Sequence, residues 1–185
     1  MPPYPVPPTL FLVAGLPASG KTVFARALAE AVGAFHLNSD ATRTTLGLRG
    51  HYSPADKEKV YAEMFDRARQ ALADHRSVVV DATFFRHDLR QPWLDLARSL
   101  RIPCRWFLIT APEDTILERL RSPRPDSEAT AAVYASLKAR WEPLDPPFLS
   151  LDSSTVPLSD MVALAIDWLR KSGYIPVTTN PAHPE

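Results

Sequence analysis

Eight consecutive residues, Gly15-Leu16-Pro17-Ala18-Ser19-Gly20-Lys21-Thr22, satisfy the pattern G-x-x-x-x-G-K-[ST] without a mismatch. At average residue usage, four specified positions would match by accident in roughly one chain of this length per hundred or fewer. The chemistry that this spacing serves is phosphate binding. Gly15 and Gly20 allow a tight turn whose N–H groups point inward, and with the start of a following helix they make a concave positive site for phosphate oxygens. The candidate nucleotide contacts are Gly15, Pro17, Ala18, Ser19, Gly20, Lys21 and Thr22. Lys21 would reach the β- and γ-phosphates of a nucleoside triphosphate, and the Thr22 hydroxyl would ligate Mg²⁺. Without a strand before it and a helix after it, the same stretch would be a Gly-rich turn carrying a solvated lysine.

Three further groups of residues could act on such a ligand. Asp40 and Arg43 stand three apart, and if Asp40 opens a short helix they share a face that looks at the loop. Asp40 could then accept the proton of a hydroxyl attacking the γ-phosphate, with Arg43 holding the substrate or the transferring phosphate. The alternative is an Asp that caps a helix, with a surface arginine beside it. Asp81 closes the apolar run Ser77-Val78-Val79-Val80 and is the expected second Mg²⁺ residue, acting directly or through water. Arg119, Arg121 and Arg124 lie around Pro123 and Pro125. They suit a lid that brings a guanidinium to the transferring group, or else an exposed basic loop. Arg49 and His51 extend the cationic character of Arg43, either towards an anionic substrate or simply into solvent.

The elements needed to position these groups are legible in the same sequence. Thr9 to Ala14 is apolar without alternation, as a strand covered on both faces would be. Val23 to Ala31 is rich in helix formers and free of Gly and Pro, so strand, loop and helix follow in the required order. Further strands are expected at Ala34–Asn38, Ser77–Asp81, Cys104–Thr110 and Phe148–Asp152. Helices are expected from Ser53 and Pro54 to about Asp74, from Asp88 to about Leu100 with Pro92 near its first turn, and at Glu113–Arg121, Glu128–Glu142 and Leu158–Lys171. Tyr61, Met64, Phe65, Ala68 and Leu72 recur at helical spacing and read as a core stripe. Strands alternating with helices imply an α/β fold with a mostly parallel sheet covered on both faces.

The 185 residues suit one domain, with Lys plus Arg and Asp plus Glu balanced at 21 each. No overall field draws the chain to nucleic acid or membrane, although a local basic patch is compatible with this balance. One cysteine, Cys104, excludes an internal disulfide and a thiolate metal cluster, and its apolar surroundings suggest an inert thiol. The Pro-rich residues 1–8 read as an extended lead-in and residues 175–185 as a loose tail, with the domain at residues 9–174 and the lid at about 113–142. No secretory signal pattern or membrane-length apolar run occurs, so a cytoplasmic location is expected. Trp93, Trp106, Trp141 and Trp168 could be core or stacking platforms, and their spacing favours core for most.

Taken together, the phosphate loop, Ser39-Asp40-x-x-Arg43, Asp81-Ala82-Thr83, the lid arginines and Ser127-Glu128-Ala129 resemble the P-loop kinase family that includes polynucleotide 5′-kinases. The chain is also similar to zeta-toxin-like kinases and to small ATP-binding, AAA-type domains. The resemblance spans about residues 10–151. It implies a P-loop NTPase fold with a five-stranded parallel sheet and a helical lid, Mg-ATP as phosphoryl donor, and a hydroxyl-bearing acceptor. That acceptor would be a nucleoside, a nucleic-acid 5′ end or a small metabolite, with nucleic acid possible as acceptor only. The family's hydroxyl-activating Asp and its Arg partner fall on Asp40 and Arg43. Lys21, Asp40, Arg43 and Arg124 are thus the expected catalytic residues, Arg119 is an added nucleotide contact, and Thr22 and Asp81 are the metal residues. Arg119, Arg121 and Arg124 compete for the family's lid positions, and Arg124 lies nearest the lid tip. The other classes left open are an ATPase, or a nucleotide-binding module that works through a protein partner. No [NT]-K-x-D guanine-selecting motif occurs, which counts against a GTPase switch.

Overall fold

An unbroken apolar strand must be covered on both faces, and Leu10–Ala14 is the clearest case in the chain. In the computed structural model, which describes residues 8–51, 53–122 and 129–174, it forms β1 with every residue buried. Around it lie β2 (Phe35–Asn38), β3 (Val78–Asp81), β4 (Cys104–Thr110) and β5 (Phe148–Asp152). The spatial order is β2-β3-β1-β4-β5 and every pairing is parallel. Parallel neighbours need crossovers, and the described residues supply them as α1 (Lys21–Val32), α2 (Ser39–Thr45), α3 (Pro54–Ala73), α4 (His87–Leu100), α5 (Glu113–Arg121), α6 (Ala131–Ala139) and α7 (Leu158–Lys171). This is the α/β P-loop NTPase architecture expected from the motif order.

Alternation along the strands divides the core in two. Leu10, Leu12, Val78, Val80 and Trp106 meet Val60 and Met64 of α3 and Trp93 and Leu96 of α4 on one face. Phe11, Val13, Val79, Phe107 and Ile109 meet Phe24 and Leu28 of α1 and Met161 and Leu169 of α7 on the other. Each large side chain removed from water here contributes about 2 kcal/mol, so the three central strands form the rigid part of the molecule. Trp93 and Trp106 are fully buried, while Trp141 and Trp168 pack against the core from partly exposed positions.

The sheet brings the carboxyl ends of its strands to one edge. In register, Val13 and Asn38 both lie opposite Asp81, and Thr110 lies opposite Asp152. The neighbours of β1 on its two sides, β3 and β4, belong to crossovers that leave in opposite directions. The crevice that opens at such a point is where ligands bind in open α/β sheets.

Some boundaries differ from expectation. Helix α6 ends at Ala139 rather than near Glu142, because residues 142 and 143 turn away to meet Arg90. Pro92 lies inside α4, past its first turn, where it forgoes the bond to the Asp88 carbonyl on an exposed face.

Candidate active site

The loop between β1 and α1 takes its shape from left-handed backbone at Ala18 (φ 62°) and at Gly20 (φ 90°), the N-cap of α1. Alternation of this kind turns successive N–H groups to one side. No side chain caps α1 and no acidic residue stands in its first turn, so its leading N–H groups are left for an anion. Space is as restrictive as φ. A Cβ on Gly15 would lie 2.5 Å from the Ile109 carbonyl oxygen and 2.6 Å from Ser19 Oγ, and one on Gly20 would lie 3.0 Å from Ser153.

Neighbouring elements hold this loop from three sides. The Gly15 N–H donates to the Thr83 carbonyl at 3.4 Å, beyond the end of β3. Ser153, just after β5, donates from Oγ to the Ser19 carbonyl at 2.7 Å. Arg119 on α5 donates from Nη1 to the Ala18 carbonyl at 3.1 Å and to Ser153 Oγ at 2.8 Å, and from Nη2 to the Ser153 carbonyl at 3.1 Å. A small apolar cluster seals the contact, with Leu16 and Ala18 of the loop against Ile116 of α5 and Tyr134 of α6. Arg119 therefore sits against the phosphate loop, whereas Arg121 at the end of α5 is exposed. Arg124 and the Ser127-Glu128 pair fall outside the described residues.

Asp81 is fully buried at the end of β3. Its Oδ2 accepts from Asn38 Nδ2 at 2.5 Å and lies 3.7 Å from His36 Nε2, while its Oδ1 has no hydrogen-bond partner. Burial alone would push the carboxyl up. The neighbouring His36 imidazole, the charge of Lys21, and the Thr22 hydroxyl and Asn38 amide together hold it below the ordinary value near 3.8. The group is therefore a carboxylate at neutral pH, with one oxygen anchored and the other buried and unsatisfied. A divalent cation is what this fold implies beside a triphosphate, and the residues fit it. A buried anionic oxygen lacking a donor is a hard-cation ligand, and the Thr22 hydroxyl belongs to the same network through Asn38 Nδ2 at 3.3 Å.

Helix α2 begins at Ser39, and its cap is Asn38, whose Oδ1 accepts the Ala41 N–H at 2.8 Å. The reading of Asp40 as the cap is thereby corrected, because Asp40 already lies in the first turn of the helix. Arg43 is not a surface neighbour either. It is 6% exposed, and its Nη1 donates to the His51 carbonyl at 2.6 Å, while Arg49 and His51 themselves are exposed. Asp40 thus stands two residues beyond the amide that touches Thr22 and Asp81. Tyr61 on α3 packs against the core, and its phenol is raised first by burial and then by the Asp40 charge, opposed by Arg43.

Three contributors have no signal in the sequence. Asn38 and His36 were taken only as strand residues, yet they alternate onto the face of β2 that meets Asp81. Ser153 follows an ordinary strand and carries no local signal. Conversely, Arg86 at the same sheet edge is engaged by both oxygens of Asp88, one of them at 3.0 Å from Nε. The open groove beside it along α4 contains none of the phosphate-loop residues.

The arrangement has recognisable relatives. Residues 10–144 match the model of the AAA domain family AAA_33. The chain is 33% identical over 144 residues to the uncharacterised protein Rv2004c of Mycobacterium tuberculosis, a match that takes in 71% of this chain and 29% of that protein. It thus spans under a third of the length of that curated relative. Among solved structures, a sugar kinase from Janibacter sp. HTCC2649 superposes with a TM-score of 0.70 at 20% identity, over 89% of this chain and 95% of that one. The Mycobacterium tuberculosis APS kinase CysC, in complex with AMPPNP and APS, does so with a TM-score of 0.66 at 18% identity, over 90% and 99%. At those identities the likeness shows the shared P-loop fold, and the match over most of its length shows the rest: the chain belongs to the AAA domain family.

Proposed function

We infer that the protein is an ATP-dependent phosphotransferase that moves the γ-phosphoryl group to a hydroxyl acceptor. The observation that carries this reading is one hydrogen-bonded network. Asn38 ties the Thr22 hydroxyl of the phosphate loop to the buried carboxylate of Asp81, and the same residue caps the helix bearing Asp40 and Arg43. Family membership supports nucleotide binding, and the names of the structural neighbours agree with kinase chemistry. The Asp40-x-x-Arg43 spacing supports the finer likeness to polynucleotide 5′-kinases and zeta-toxin-like kinases.

In this mechanism the loop N–H groups and Lys21 hold the β- and γ-phosphates. The acceptor hydroxyl oxygen attacks the γ-phosphorus as its proton passes to the Asp40 carboxylate. The bond from phosphorus to the β,γ-bridging oxygen breaks, and ADP leaves with the electron pair. Arg43 steadies the acceptor or the transferring group, and Arg119, with Arg124 as the further lid candidate, meets charge on the phosphates. Thr22 and Asp81 would hold Mg²⁺, which neutralises charge on the phosphate oxygens when bound.

The test is an acceptor screen with γ-labelled ATP, spanning nucleosides, 5′-hydroxyl oligonucleotides and small metabolites, with Asp40→Asn as the blank. Acceptor-dependent label transfer that falls at least about a hundredfold in Asp40→Asn supports the reading. Transfer that survives Asp40→Asn removes the general base. ADP formation without any acceptor moves the protein to the ATPase class. Unchanged ATP affinity and turnover in Lys21→Ala would refute the nucleotide site itself.

A further inference from the structure

Asn38 makes three side-chain hydrogen bonds at the sheet edge. Its Nδ2 reaches Thr22 Oγ1 at 3.3 Å and Asp81 Oδ2 at 2.5 Å, and its Oδ1 takes the Ala41 N–H at 2.8 Å. The chemistry fixes which end of the amide points where. The NH₂ group faces a carboxylate and a hydroxyl, and the carbonyl oxygen faces a backbone donor, so a flipped amide would set oxygen against carboxylate and N–H against N–H. Three separate stretches of chain meet on this one group: the phosphate loop, the end of β3 and the start of α2.

The effect on Asp81 is asymmetric. Asn38, with His36 two residues earlier on the same strand, occupies the Oδ2 side, and Oδ1 is left buried with no hydrogen-bond partner. A free buried carboxylate would rotate to spread its two oxygens over the available donors. Holding one oxygen from β2 decides which way the other points. Residues outside a metal's own ligand set commonly act in this way, and their loss typically lowers metal affinity about 10- to 100-fold.

We propose that Asn38 is a positioning residue whose amide sets the Asp81 carboxylate and the Thr22 hydroxyl in the orientation a divalent cation needs, and locks that pair to the helix carrying Asp40 and Arg43. The proposal rests on the phosphotransferase reading and adds to it a physical link between the donor and acceptor sides. Asn38 touches neither substrate, and its influence passes through the groups it holds.

The variant that separates the roles is Asn38→Ser, since a serine hydroxyl still caps α2 but is too short to bridge to Asp81. Binding of a fluorescent non-hydrolysable ATP analogue is measured in the full chain, without and with Mg²⁺. In the wild type Mg²⁺ tightens binding. In Asn38→Ser that tightening falls by about tenfold or more, while affinity without Mg²⁺ stays within about twofold. Asn38→Ala shows the same loss of Mg²⁺ tightening together with a lower melting temperature, because the cap is gone as well. A residue that merely stiffened the strand end would weaken binding equally with and without the metal, and that result overturns the proposal. So does an Asn38→Ser protein that keeps the full Mg²⁺ effect. If the wild type binds no analogue under either condition, the phosphotransferase reading fails first and this inference falls with it.

Discussion

Arg90 on α4 and Arg119 on α5 both tie together stretches of chain far apart in sequence, yet they are suited to different work. Arg90 is 2% exposed and gives all its bonds to main-chain carbonyls: Phe84 at 2.7 Å, Pro143 at 2.5 Å, and Glu142. Its guanidinium also lies over the Trp141 ring at 5.7 Å. Arg119 is only partly buried, and its acceptors are the Ala18 carbonyl and the hydroxyl and carbonyl of Ser153. Neither is bonded to a carboxylate among the described residues. For Arg90 that fact is structural, because no ligand can reach it. For Arg119 it means that an anion entering the phosphate loop offers a stronger, charge-assisted acceptor than any it now has. The same side chain type is thus a buried rivet on the β3–α4 side and a half-exposed brace of the phosphate loop on the other.

The largest expected effect tests the rivet. Arg90→Ala leaves three carbonyls without their donor and a cavity beside Trp141, so unfolding in urea should show a loss of about 3 kcal/mol. Nucleotide affinity, measured where the variant is still folded, should change little. A stronger effect on nucleotide binding than on stability would break the comparison.

Arg119→Ala should do the reverse. Its hydrogen bonds are made at a half-exposed site, so stability should fall by only about 1 kcal/mol, while affinity for an ATP analogue drops about tenfold. Equal affinity in wild type and variant would make Arg119 a second rivet.

A smaller effect concerns Asp81, whose folded-state carboxyl lies below its ordinary value. A depressed carboxylate contributes stability above its unfolded pKa and loses it as pH falls through the folded value. Stability of the wild type should therefore decline on acidification below the ordinary carboxylate range, and Asp81→Asn should flatten that part of the curve in urea titrations. The smallest effect is chemical. Burial pushes the Cys104 thiol up to about 12, leaving roughly one thiol in ten thousand ionised at pH 8. Labelling by a thiol reagent should be slow in the native protein and fast in urea.

How much of this was readable beforehand follows from the range over which each signal acts. The phosphate loop and the strands were legible because a glycine spacing and an apolar run are local properties. Asn38, Ser39 and Asp40 are three good capping residues in a row, and spacing alone could not say which one caps α2; the pairing of Asn38 with Asp81 across the sheet decides it. Arg90 carries no local signal of its role, because two of its carbonyl partners lie 52 and 53 residues further on. For Arg43 the spacing leaves a substrate contact and a surface arginine both open, since nothing nearby in sequence announces its burial.

The loop's dependence on Ser153 bears on how the molecule comes into being. The hydroxyl that braces the Ser19 carbonyl arrives 134 residues later in the chain, and the carbonyl that crowds Gly15 belongs to β4. Closing such distant contacts is slow relative to forming local helices. During synthesis those braces are missing until β4 and β5 have emerged and paired, so a ribosome-bound intermediate lacking them should hold nucleotide more weakly than the full chain.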